Sequence, residues 1–156
     1  MPDQDFQPRI AFRMLKMIFY SLNAGLLIFF MVIVYLNDLT IPELQSEVDI
    51  LTVVNIILLG SIPAGYALSG RRWEAIDPED PFPRKFEQFQ TGMILRWAMI
   101  EGAALFSLIG LLILQDSKHL ILFILCLLVL SSNSVTREKV VKWAKLNSNE
   151  AEQLKE

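Results

Sequence analysis

One cysteine, one histidine and seven glycines occur in 156 residues. A lone Cys126 can neither close an intramolecular disulfide nor supply a CxxC pair, which argues against a disulfide-stapled secreted domain and a disulfide-forming membrane enzyme. It reads as a small apolar packing residue. A lone His119 has no partner for a haem pair or a metal site, and it reads as an interfacial residue at the outer end of the last apolar run. The chain contains no Walker loop, GxGxxG, HExxH or GxSxG, so no catalytic constellation, metal site or cofactor is expected. Basic excess is missing too: 14 Lys and Arg stand against 17 Asp and Glu. Nothing is left to neutralise the phosphates of a nucleic acid.

Long apolar runs fill the space between blocks of charge. A helix needs about 20 apolar residues to cross roughly 30 Å of hydrocarbon. Four segments approach that length, at about residues 14–36, 48–70, 92–114 and 120–136. The fourth, LILFILCLLVLSSNS, is the shortest and is expected to run on through Ser131 to Ser134. The first apolar run is long, follows a polar stretch and lacks a small-x-small site after it, so no cleaved signal peptide is expected. The fold class is therefore all-α: a polytopic membrane protein of four transmembrane helices in two hairpins. Residues 1–146 form the membrane domain, with a Pro-rich cytoplasmic loop at 71–91 and an amphipathic cytoplasmic tail at 137–156.

Orientation follows from the Lys and Arg of short loops. Arg9, Arg13 and Lys16 precede the first run; Arg71, Arg72, Arg84 and Lys85 follow the second; Arg137, Lys139, Lys142, Lys145 and Lys155 lie in the tail. The other side has only Lys118, with the acids Asp38, Glu43, Glu47 and Asp49. Both termini are expected in the cytoplasm. In the loop, Pro78, Pro81 and Pro83 favour an extended path, and Pro83 suits the first turn of a helix leading into the third run. Trp73, Phe82, Phe86 and Phe89 are expected at headgroup level, with Arg84 and Lys85 in water or near anionic lipid. The tail TREKVVKWAKL reads as a helix lying on the membrane surface against anionic headgroups. Asn147 and Glu150 match an N-cap and its N3 acid.

The two halves look alike. A slide of 78 residues sets Asn23 to Asp38 on Glu101 to Asp116, and Phe19 on Trp97. Internal duplication is one reading of this pattern, with a pseudo-twofold axis along the membrane normal; the general likeness of apolar helices is the other.

Glu101 is the residue that invites function. It lies about nine residues into the third run, roughly 13 Å deep. A charge there costs about 2.5 to 3.5 kcal/mol on insertion scales. It reads either as an ion- or proton-binding carboxylate or as a carboxyl hydrogen-bonded between helices. If the halves are a true repeat, Asn23, at matching depth, is its expected partner. Arg96 is five residues away and expected to snorkel to the interface; Trp97, one turn from Glu101, can shield it. Asn55 reads as an interhelical hydrogen bond. Ser61, Gly65 and Ser69 on the second run, and Ala103, Ser107 and Gly110 on the third, form small-residue stripes for close packing, within the bundle or in an oligomer. Pro63 is expected to kink the second helix.

The stretch RWAMIEGAALFSLIGLLIL and the tail TREKVVKWAKLNSNEAEQL resemble small four-span bacterial inner-membrane proteins of unknown function. This resemblance implies a bacterial membrane protein and transfers no activity. The layout is also similar to that of duplicated proteolipid rotor subunits of rotary ATPases. It departs from them in placing Glu101 on the first helix of its hairpin and in lacking their glycine ladder. Four-span multidrug carriers have their buried Glu in the first span, where this chain has Asn23. The expected function is a non-enzymatic accessory or interaction protein of the bacterial cytoplasmic membrane, with a homo-oligomer or another membrane protein as partner. The alternative is a small ion- or proton-coupled transporter or channel component using Glu101.

Overall fold

Pro8, whose fixed φ suits a first helical turn, opens α1, Pro8–Leu36. Asp49 caps α2, Ile50–Glu74, by accepting from the Thr52 backbone N–H. Pro81 and Pro83 flank the start of α3, Phe82–Leu114, so the helix does continue from the Pro-rich loop as its sequence predicts. Asp116 caps α4, Ser117–Ser132. Thr136 caps the seven-residue α5, Arg137–Trp143. Asn147 and Glu150 close a capping box on α6, Ser148–Glu152. The structure is a computed structural model describing residues 6–37, 42–44 and 47–154. Asp38 of the acidic loop and Lys155 of the tail lie outside the described residues.

Among the described residues all regular structure is helical. α1, α2 and α3 are each long and apolar enough to cross a membrane. α4 is shorter than expected. It starts at Ser117 and ends at Ser132, so Asn133 to Thr136 are not helical. It becomes a fourth crossing only when joined to α5 across a 75° bend. α2 runs through Pro63 as a single helix.

α3 is the hub. α2 and α4 pack extensively on it, α1 packs on it more lightly, and α1 hardly touches α2. The hairpin arrangement is thus seen in α3 and α4, whereas α1 leans on α3. The reason lies in the α3 surface. Trp97, Ile100, Ala103, Ala104, Ser107, Leu108, Gly110 and Leu111 are all buried. The small members of this set bring neighbouring backbones close, which is how helices associate where lipid removes the hydrophobic drive between them.

The bundle has a basic end and an acidic end. At the basic end the loop and tail fold over one another. Trp73, Phe82, Phe86 and Phe89 are buried there rather than at the surface. Trp73 stacks on Phe89 at 5.5 Å and lies 5.1 Å from Trp143 between ring centroids. The indole N–H of Trp73 donates to the Phe89 carbonyl at 3.3 Å. Val140, Ala144, Leu146 and Leu154 are buried too, so the apolar side of the tail covers the loop instead of lying free. Lys85, expected in water, is 1% exposed and pairs with Glu150 at 2.7 Å. It also donates to the Pro78 carbonyl at 3.1 Å. Arg84 does stay in solvent, against Asp80 at 3.2 Å. At Lys145 the chain turns with a positive φ of 51°, and its ammonium donates to the Glu74 and Ile76 carbonyls at 2.9 and 2.6 Å.

Candidate functional site

The polar residues inside the bundle fall into two clusters, one at each end of the buried α3 stripe. The acidic-end cluster forms because α2 carries Asp49, Thr52 and Asn55 at three-residue spacing, which puts them on one helical face. Asn55 is fully buried; its Nδ2 donates to Ser107 Oγ at 2.8 Å, and Ser107 Oγ lies 3.0 Å from Asn55 Oδ1. The expected interhelical hydrogen bond is therefore present. His119 is also fully buried, not interfacial. Its Nδ1 lies 3.4 Å from Asn55 Nδ2, its Nε2 3.5 Å from Thr52 Oγ1 and 3.9 Å from an Asp49 oxygen. The ring fits because Gly110 has no side chain: a Cβ there would fall 2.4 Å from His119 Nδ1. Thr52 Oγ1 in turn donates to Asp49 at 2.7 Å. That bond holds the Asp49 carboxyl below the ordinary carboxylate range, against an opposing push from desolvation. Asp116 and Lys118 pair beside this cluster at 3.0 Å. Ser117 takes the Glu43 carbonyl through its backbone N–H at 3.1 Å, so the described parts of the acidic loop close over α4.

The basic-end cluster is built on Arg96. Its guanidinium does not snorkel outward. Nε and Nη2 both donate to Ser69 Oγ, at 3.1 and 2.7 Å, and Nη1 reaches Asn133 Oδ1 at 3.4 Å. It lies over two aromatic faces, 4.0 Å from the Tyr66 centroid and 4.5 Å from that of Trp73. Asn133 ends α4 and donates to Val129 O at 2.7 Å and to the Tyr66 hydroxyl. Trp97 is fully buried and its indole N–H donates to the Asn133 carbonyl at 3.1 Å. Lys139 adds a second cation, held by the carbonyls of Ser132 and Ser134 at 3.1 and 2.8 Å. Burial first, and the charge of Arg96 second, hold its ammonium below the ordinary lysine value.

Glu101 joins neither cluster. It is half-buried at the edge of the outward stripe of α3, beside exposed Ala98, Gly102 and Leu105. It does not bond to Asn23. The Asn23 amide donates to the Phe19 carbonyl at 2.9 Å, and its oxygen accepts from Ser131 at 3.2 Å. Trp97 turns inward to Phe19, with centroids 5.4 Å apart, rather than covering the carboxyl. The small residues serve the bundle. A Cβ on Gly65 would lie 3.1 Å from Met99 Cγ, Ser69 holds Arg96, and Ala103, Ser107 and Gly110 are buried. Ser61 is partly buried and bonds back to Leu58 O at 2.6 Å. Among the described residues, no group of three or more acids, histidines or cysteines can hold a metal ion.

The sequence reading missed the His119 cluster and the inward turn of Arg96. The Asp49, Thr52, Asn55 spacing, facing Ser107 and Gly110 on α3, was the available signal. No family model, curated protein or solved structure matches the chain.

Proposed function

We propose that this chain is a multi-pass protein of a bacterial cytoplasmic membrane, with four spans and both termini in the cytoplasm, acting as a non-enzymatic accessory or interaction protein. The observation that carries the reading is Glu101. Among the described residues it meets no hydrogen-bond or ion-pair partner, and it sits on the outward edge of α3. A carboxyl at that depth is costly in lipid and is normally relieved by a donor. Here the donor would come from a helix of another chain. The light packing of α1, with exposed Met17, Ile28 and Met31, leaves further apolar surface for lipid or a partner.

The gathering of Lys and Arg at one end supports the orientation. α4 alone is about 24 Å long, and a short span is accommodated by local thinning of the bilayer or by polar flanks. The 78-residue correspondence is supported between α1 and α3, where Phe19 meets Trp97 and the Gln115 amide donates to Asn37 at 3.0 Å. The transport alternative has less support. The stripe joining the two polar clusters passes through apolar Ile100, Ala103 and Ala104.

The test compares wild type with Glu101→Leu and Glu101→Gln, extracted in native-lipid nanodiscs and weighed by native mass spectrometry. Leucine inserts more easily than glutamate, so the fold should persist while the partner contact is lost. The reading expects a wild-type complex of fixed stoichiometry, heavier than the monomer, that Glu101→Leu dissociates. A wild-type chain that is always monomeric overturns it. Proton-driven cation flux in proteoliposomes, abolished by Glu101→Gln, replaces it with transport.

A further inference from the structure

The basic-end cluster has a charge imbalance that the accessory reading does not use. Arg96 reaches the Asn133 side chain and Lys139 the carbonyls of Ser132 and Ser134 on either side of it, and among the described residues neither meets a carboxylate. Every partner they have is neutral: a serine hydroxyl, an asparagine amide oxygen, two aromatic faces and two backbone carbonyls. A half-buried cation with only neutral partners is costly, and a bound anion relieves it.

The donor inventory gives the same answer. A guanidinium has five N–H groups and an ammonium three. Arg96 directs two at Ser69 and one at Asn133. Lys139 directs two at carbonyls. Two guanidinium N–H groups and one ammonium N–H remain to donate. The site is also held rigid. Ser69 is fully buried, and its own hydroxyl donates to Tyr66 O at 3.0 Å, which turns its lone pairs toward Arg96. Tyr66 and Trp73 fix the plane of the guanidinium. A planar fork set between aromatic faces, beside an ammonium held on two carbonyls, is a pairing that recognises a phosphate-type oxyanion.

We propose that Arg96 and Lys139, with Ser69 and Asn133 as positioning residues, form a binding site for one phosphate-type oxyanion at the basic end of the bundle. On the membrane reading this end lies at the cytoplasmic interface, where the phosphate of an anionic phospholipid headgroup is the abundant source. A free phosphate has the same chemistry, and the experiment separates the two.

Purified full-length chain is delipidated in mild detergent and titrated with phosphatidylglycerol, phosphatidylcholine or inorganic phosphate, with occupancy read by native mass spectrometry. One phosphatidylglycerol should bind, with little phosphatidylcholine. Lys139→Gln should weaken it roughly ten- to a hundredfold, the worth of one charge-assisted hydrogen bond. Arg96→Lys, which keeps the charge but loses the fork, should weaken it as well. Arg72→Gln, on the exposed end of α2, should leave it unchanged. Lys139 is half-exposed, so its variant reports on binding even where Arg96 variants unfold. Inorganic phosphate that binds and displaces the lipid identifies a free-anion site and keeps the proposal. Equal binding by wild type and Lys139→Gln overturns it, as does an equal loss in Arg72→Gln, which marks diffuse attraction. The inference rests on the membrane reading only for its lipid arm. A chain that takes the expected topology yet binds neither anion sinks the site and leaves that reading intact.

Discussion

Asn55 of α2 and Ser107 of α3 hold each other across the bundle, with the amide nitrogen 2.8 Å and the amide oxygen 3.0 Å from one hydroxyl. Both are fully buried. Ser107→Ala removes the hydroxyl and leaves the amide with His119 as its remaining neighbour. The expected loss is about 1 to 2 kcal/mol, between the average worth of such bonds in bundles and the cost of an unmade buried one. Unfolding in mixed micelles measures it; Ser107→Cys, of similar shape, should lose less.

Glycines divide into two classes by what a methyl group would meet. At Gly110 it would fall 2.4 Å from His119 Nδ1, and at Gly92 2.3 Å from Trp73 Nε1. Gly110→Ala and Gly92→Ala should each cost about 1 to 3 kcal/mol, the usual penalty of overpacking. At Gly25 and Gly102 nothing lies within 4 Å. Alanine there should leave stability unchanged or raise it by up to about 1 kcal/mol, because alanine suits a helix interior better than glycine. Thermal unfolding of the four variants side by side checks the division.

Lys85 and Glu150 join the start of α3 to the tail through a buried ion pair at 2.7 Å. Glu150→Gln leaves the Lys85 ammonium buried without a counter-charge, with only neutral acceptors such as the Pro78 carbonyl. Breaking such a pair from one side costs about 3 to 5 kcal/mol. The expected readout is protease cleavage of the tail at conditions where wild type resists. The double variant Lys85→Met with Glu150→Gln should recover much of the resistance, because no buried charge then remains. Deleting the tail outright would strand Lys85 in the same way, so it is a stability test and not a clean test of function.

Asp49 accepts two bonds from Thr52, to the backbone N–H at 2.8 Å and from the hydroxyl at 2.7 Å. The hydroxyl bond is the main reason its carboxyl stays charged to lower pH than usual. A carboxylate lowered in the folded state adds stability above its unfolded pKa, and that stability is lost as pH falls through the folded value. The loss of the α2 cap is therefore expected below about pH 4. Thr52→Val should shift the transition to higher pH, as seen in acid titration of unfolding.

Topology has its own check. Cys126, the only native cysteine, is buried, so a new cysteine supplies the signal. On the four-span reading, Glu43→Cys should react with a membrane-impermeant maleimide added to intact cells. Gln153→Cys should react only after the cells are opened. The reverse pattern inverts the orientation.

Much of the architecture was legible from local chemistry. Pro83 in the first turn of α3 and the Asn147–Glu150 box are set by neighbours within a few residues, and the structure carries both; the Asp49 and Asp116 caps are equally local but were not read from the sequence. The small stripes on α2 and α3 likewise point to their packing faces, because only small side chains let two backbones approach. The bounds of α4 were less legible: a run of apolar residues says how much can be buried, whereas Asn133, where the helix ends, meets Tyr66, far away in sequence.

What the sequence determined by itself is the helical class, the apolar lengths and the sorting of charge to two ends, all consequences of composition and period. Only the tertiary structure decided which polar groups meet. Glu101 and Asn23 share a depth, yet depth leaves the angle around each helix free. The rotation of α3 that buries Trp97, Ile100 and Ser107 turns Glu101 outward and Arg96 toward Ser69. The same rotation gives His119 the space left by Gly110. Helix rotation is settled by the sum of all side chains packed on α3, a quantity that no single stretch of the chain contains.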